Sequence, residues 1–243
     1  MAIKPILFNT EMVRAILDGR KSCTRRLVKH KPDEKHTYPL GFVNDSTEKR
    51  DIGCFGFGID EYGGSVQYAK PPYQSGDILY VRETFAWCPC WDCGLNVEEP
   101  GCEYEQEKKY NNKKKEHGCY VYRASCEDNE YPSADTWHPS IHMPKEAARI
   151  WLKVKDVRVE RLQEMWASDV SKEGIYFTKP TTADEMLMAF AKLWNSTIKK
   201  SDIDRYGWGA NPWVWVIEFE RCEKPAESPY AWNDAIHKLT KGV

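Results

Sequence analysis

Apolar residues recur along this chain in two rhythms. One is helical. Met12, Val13, Ile16 and Leu17 fall on one face. Asn9 or Thr10 can cap the start of that helix, and Gly19 stands where a helix commonly ends in a left-handed residue. Leu187, Phe190, Ala191 and Trp194 repeat the spacing, predicting the longest helix over 183–194. Thr182-x-x-Glu185 supplies its capping box. Ser168 can cap a short helix ending at Glu173, with Gly174 after it, and Pro144 can open another over 145–149. The second rhythm is that of strands. Residues 78–85 are apolar on both faces. Over 213–221, Trp213, Trp215, Ile217 and Phe219 share a face, and Val214 and Val216 point the other way. The alternation over 150–161 breaks at Lys155-Asp156 and resumes, which predicts a bulge. Residues 3–8, interrupted by Pro5, and 119–123 read as shorter strands.

Between these elements the pattern lapses. Residues 32–75 are rich in Gly, Asp, Tyr and Ser and read as loops with short strands such as 54–58. Residues 86–118 look inserted, and 103–117 are nearly all charged or polar. In the polar loop 199–210, Tyr206 and Trp208 either fill core or stack against a base. The expected organisation is one elaborated α+β domain over 1–224 and a tail over 225–243, without internal repeats.

Composition narrows the function classes. Hydrophobic content of 41% and ten Trp in 243 residues can fill a core, which excludes disorder throughout. A net charge of −2 means that affinity for a polyanion must come from a local patch. No apolar run approaches the ~20 residues of a membrane span, and the first residues lack a signal-peptide pattern. A cytoplasmic protein without a membrane partner is expected, its nine Cys reduced or metal-bound. Cys88, Cys90, Cys93 and Cys102 are spaced C-x-C-x2-C-x8-C. The C-x2-C step suits one thiolate knuckle of a structural zinc, and Cys119 can replace a ligand; the alternative is free thiols in a loop. No catalytic cofactor is expected.

The densest chemistry lies in Gly19-Arg20-Lys21-Ser22-Cys23-Thr24-Arg25-Arg26. It reads either as a solvated basic loop answering the negative end of a helix or as a Lys–Thr pair, in which a neutral lysine activates a hydroxyl. Residues 20–31 hold six Lys or Arg, and such a segment can track a phosphate backbone through Arg20, Arg25 and Lys29. Glu173 falls in the last turn of its helix, at a cost of ~0.3–1 kcal/mol that a cationic partner would offset. Arg82-Glu83 form either a pocket wall or an ion pair. Ser140 and His142, two apart, would share a strand face as binding candidates, although a lone His is more often structural.

The basic stretch resembles the signature of the ASCH family, a small fold related to the PUA RNA-binding domain. The family pattern is G-x-K-x-x-E-x-R; Gly19, Lys21 and Arg26 match it, and Thr24 stands where many members have Glu. That variant resembles the branch containing bacterial N4-acetylcytidine amidohydrolases, whose Lys, Thr and a downstream Glu are catalytic. The stretches 76–84, 137–144 and 211–219 add a resemblance to longer ASCH proteins of bacteria and prophages, covering most of residues 3–224. The resemblance implies a PUA-like β-barrel with flanking helices. It implies Lys21, Thr24 and Glu173 as catalytic, with Asp169 or Glu164 as alternatives to Glu173. A pocket would draw on Arg26, Arg82, Glu83, Ser140, His142, Asn211 and Trp213. Neutral Lys21 would take the Thr24 proton, Thr24 would attack the acyl carbonyl, and Arg26 or backbone N–H groups would hold the oxyanion. Arg20, Arg25, Arg26 and burial favour the neutral amine; Glu173 opposes them. Two other functions fit the same fold: an RNA- or modified-base-binding module without catalysis, and an ASCH-type ribonuclease using His142 as base.

Overall fold

The computed structural model describes residues 1–29, 32–89, 109–111, 116–126 and 137–226. The chain runs β1 (Ile3–Leu7), α1 (Thr10–Leu17), β2 (Cys23–Leu27), β3 (Tyr38–Phe42), β4 (Phe55–Gly58), β5 (Val66–Ala69), β6 (Ile78–Arg82), β7 (Phe85–Pro89), β8 (Lys109–Asn111), β9 (Glu116–Tyr122), β10 (Trp151–Arg161), α2 (Ala167–Lys172), α3 (Ala183–Thr197), α4 (Ile203–Tyr206) and β11 (Trp213–Cys222). This is an α+β protein.

Five strands form the central sheet in the order β1-β6-β10-β11-β2. β1 runs parallel to β6; the other neighbours are antiparallel. The alternation of β11 decides how the sheet is covered. Trp215, Ile217 and Phe219 pack with Val13, Ile16, Phe55 and Phe57 in one core. Val214 and Val216 pack with Leu162, Val170, Phe190 and Trp194, bringing α2 and α3 onto the opposite face. The bulge appears where the polar break predicts it: the β10–β11 register shifts between Val154 and Asp156.

Helix ends also follow local chemistry. Asn9 caps α1 by accepting from Met12 N at 2.9 Å. Gly19 has φ +72, and the N–H groups of Arg20 and Lys21 return to the Ala15 carbonyl. The Thr182–Glu185 capping box forms as expected, but α3 runs three residues past Trp194 to Thr197. β6 ends at Arg82, and β7 starts anew at Phe85.

Two small sheets flank the large one. β3-β4-β5 is built from residues that sequence pattern renders mostly as loop, and β7-β9-β8 is the other. The segment read as an insertion therefore begins and ends in strand: Ala86 and Cys88 are buried in β7, opposite Val121 and Cys119 of β9. Asp33 and His36 fasten the 32–37 loop to the β3-β4-β5 sheet. Asp33 Oδ1 lies 2.6 Å from His36 Nδ1, and His36 Nε2 lies 3.1 Å from Ser65 Oγ.

The expected closed barrel does not form among the described residues. β1 and β2 occupy opposite ends of the strand order and do not pair. A side chain bridges them instead: Arg26 donates to the Leu7 carbonyl at 2.8 Å. The seam between these edges is where the candidate site lies. No helix among the described residues is long and apolar enough to cross a membrane.

Candidate active site

Lys21 enters the site because its backbone is held from both sides. Its N–H donates to Ala15 O at the end of α1, and it forms an antiparallel bridge with Glu173. Glu173 caps the C-terminus of α2, and Gly174 follows with φ +92. A Cβ at Gly174 would lie 2.8 Å from the Ala15 Cβ and 3.1 Å from the Lys21 Cβ. Glycine thus serves twice here, for the left-handed backbone and for the close approach.

The Lys21 ammonium gives all three of its protons to identified acceptors. It donates to Cys23 O at 2.7 Å, Glu173 O at 2.8 Å and Glu173 Oε2 at 2.9 Å. The offset expected for a carboxylate at a helix C-terminus is therefore supplied by Lys21, and again by Arg25 Nη1, 3.2 Å from Glu173 Oε1. Both Lys21 and Glu173 are 4% exposed. Arg25 extends the network to Asp169 and Glu160 at 3.4 Å each. Burial alone would raise the Asp169 carboxyl; Lys172, the Trp166 N–H and Arg25 outweigh it and hold the group below its usual range. The Arg25 Nε is buried and has no hydrogen-bond partner among the described residues.

Thr24 is buried in β2 opposite Ile217. It lines a cavity of about 220 Å³ with Lys21, Arg25, Arg26 and Glu173. Phe8, Phe190 and Trp194 supply apolar wall. Arg26 lies with its guanidinium 5.4 Å from the Phe8 ring centre, and burial pulls its pKa down. The Cys23 thiol is pushed up to about 12, first by burial and then by Glu173, so it is protonated and inert near neutrality.

The other sequence candidates lie elsewhere. Glu83 is buried and bound bidentately by Arg149 at 2.9 and 3.0 Å rather than by its neighbour Arg82. Arg82 donates to the Ile141 carbonyl. Ser140 and His142 belong to a short 3₁₀ turn, not a strand, and His142 is exposed. Asn211 adopts φ +46, and its side chain accepts from Gln163 N at 2.8 Å. The Trp213 ring lies 4.1 Å from the Arg161 guanidinium, on the wall of a different cavity of about 910 Å³. Arg20 pairs with Asp18 and donates to Gly174 O. Glu164 accepts from Arg161 N. Of the proposed zinc ligands, Cys90, Cys93 and Cys102 lie outside the described residues; Cys88 is buried in β7.

Sequence reasoning missed the walls. Phe190 and Trp194 carried a helical core signal, and they do pack in a core while also lining the cavity. Phe8 carried no signal beyond closing the strand expected over 3–8, and it follows β1, which ends at Leu7.

Comparison with family models, curated proteins and solved structures gave no match.

Proposed function

We propose that this chain is an ASCH-type amidohydrolase on a PUA-like scaffold, cleaving the acyl group from an N-acylated nucleoside such as N4-acetylcytidine. One observation carries the reading: Glu173, 152 positions from Lys21 in sequence, lines one cavity with Lys21 and Thr24, with Lys21 Nζ 2.9 Å from Glu173 Oε2. At 220 Å³ the cavity lies below the ~300–1,000 Å³ of sites for drug-sized ligands, which suits a base with its acyl group.

In the proposed reaction, Lys21 passes one proton to Glu173 across their contact and is left as the amine. The amine takes the Thr24 hydroxyl proton as Thr24 Oγ1 bonds to the acyl carbon. Arg26 or backbone N–H groups hold the resulting oxyanion. The carbon–nitrogen bond then breaks, and the departing amino group takes the proton from Lys21. Water attacks the acyl-threonine, giving one proton to the Lys21 amine and the other to Thr24 Oγ1 as the ester bond breaks. The acyl group leaves as a carboxylate, and Glu173 releases to solvent the proton it took from Lys21, which restores the ammonium–carboxylate pair. The unspent Arg25 Nε–H on the cavity wall is a donor for a base oxygen.

A second reading has its own support. The Lys21 hydrogen bonds go to Cys23 and Glu173 and none to Thr24, which suits a pocket that holds a modified base without turnover. Incubation with N4-acetylcytidine, following cytidine release, separates the two. Release is expected from the wild type and at least 100-fold less from Thr24→Ala, whose unfolding midpoint should stay close to wild type. A fully active Thr24→Ala would eliminate the acyl-threonine. No release from the wild type, with measurable binding of the same nucleoside, would establish the binding pocket instead.

A further inference from the structure

The seam has a second opening, of whose lining the chemistry above calls on Arg26 alone. A cavity of about 540 Å³ is lined by Arg26, Lys29 and Lys70, by Tyr68 and Tyr73 and, among the described residues, by no carboxylate. It shares Leu7 and Arg26 with the smaller cavity. Its far wall comes from β5 and the residues after it, so the β3-β4-β5 sheet creates a groove that the central sheet alone would lack.

Its charges are what set it apart. Among the described residues, Arg20, Arg25, Arg149 and Arg158 all have carboxylate partners. Arg26, Lys29 and Lys70 form no ion pair there. Lys29 and Lys70 are exposed. Arg26 spends a donor on Leu7 O and has no carboxylate within ion-pair distance among the described residues. In a chain of net charge −2, three cations lining one groove without a carboxylate partner among the described residues make a local positive field. Tyr68 is 37% exposed, and the Tyr73 hydroxyl is fixed by donating to Pro5 O at 2.8 Å. Cations interleaved with aromatic rings are the pattern that tracks a single-stranded phosphate backbone.

We propose that this groove binds the phosphate of a nucleotide, within a single-stranded RNA, so that the base beside that phosphate enters the 220 Å³ cavity past Arg26. The placement of the base rests on the reading of that cavity given above; the phosphate groove does not. It reassigns the basic segment, since of Arg20, Arg25 and Lys29 only Lys29 faces the groove, and Lys70 joins it from just after β5.

The test measures binding of a fluorescent single-stranded decaribonucleotide across salt concentrations. It compares the wild type, Lys29→Ala/Lys70→Ala, and the charge-matched control Lys145→Ala/Lys192→Ala. Three phosphate contacts predict a log–log salt slope near −2 for a single strand, falling to about −0.7 in the first variant. Its affinity should drop at least tenfold at low salt, with the control unchanged. An equal loss in both variants, or none in either, overturns the groove. In parallel, turnover of N4-acetylcytidine is compared with that of its 5′-monophosphate, its 3′-monophosphate and an oligonucleotide carrying it. An oligonucleotide preferred at least tenfold over the nucleoside supports an RNA substrate. A monophosphate preferred as strongly, without oligonucleotide binding, overturns RNA and leaves a free nucleotide. Oligonucleotide binding through the lysines with no turnover of any substrate keeps the groove and removes the hydrolase.

Discussion

Two buried carboxylates in this protein meet cations at nearly the same distance, and one of them, Glu173, also lines a cavity. Glu83 is 1% exposed and held by Arg149; Glu173 is 4% exposed and held by Lys21. Around Glu83 the partner is half-buried and engaged on its other sides: the Arg149 guanidinium lies 4.1 Å from the Tyr122 ring centre and donates to Ser125. Glu173, by contrast, has a second cation in Arg25, a threonine nearby and about 220 Å³ of space. An ion pair is therefore poor evidence of a site until the space beside it is known. The pairs differ also in redundancy. Among the described residues Glu83 pairs with one arginine, whereas Glu173 keeps Arg25 if Lys21 is lost.

That difference can be broken experimentally. Arg149→Met should have the largest effect, about 3–5 kcal/mol of lost stability in denaturant unfolding, because an unpaired buried charge remains. Binding at the Lys21 cavity, per folded molecule, should not change. Burial already pushes the Glu83 carboxyl above its ordinary 4.5, against the pull of Arg149. The folded state thus holds that proton more tightly than the unfolded state, so this contribution to stability falls as pH rises through the window above 4.5. In Arg149→Met the window should extend upward, seen as a steeper loss of stability with rising pH. Lys21→Met should cost less, roughly 1–3 kcal/mol, because Arg25 still faces Glu173. An equal loss in the two variants would refute the redundancy. Gly174→Ala should cost roughly 1–2 kcal/mol from the left-handed backbone alone. Pressed against Ala15 and Lys21, the added methyl should also weaken nucleoside binding, readable by calorimetry.

How much of this was legible in the sequence depended on range. Short-range chemistry was readable: the Asn9 cap, the Thr182–Glu185 box, the Lys155-Asp156 break and the alternation of β11 each involve neighbours along the chain. The meeting of Lys21 with Glu173 came only through a family resemblance, since no local pattern links residues 152 positions apart. Arg25 shows the limit. As a residue type in a basic run it suggested phosphate, but its place on β2 turns it into the α2–α3 face, among Glu173, Asp169 and Glu160. The β3-β4-β5 sheet escaped because its strands are short and rich in glycine, so their pairing outweighs a weak period.

The unclosed seam has a consequence for self-association. Sheet edges ordinarily invite a strand from another molecule, which is how many soluble proteins begin to aggregate. Here Pro5 leaves β1 without one donor, and the Arg26 guanidinium already occupies the Leu7 carbonyl. Arg25 and Arg26 lie side by side on β2, the other edge. The gap can thus stay open to a small ligand and still refuse a neighbour's backbone.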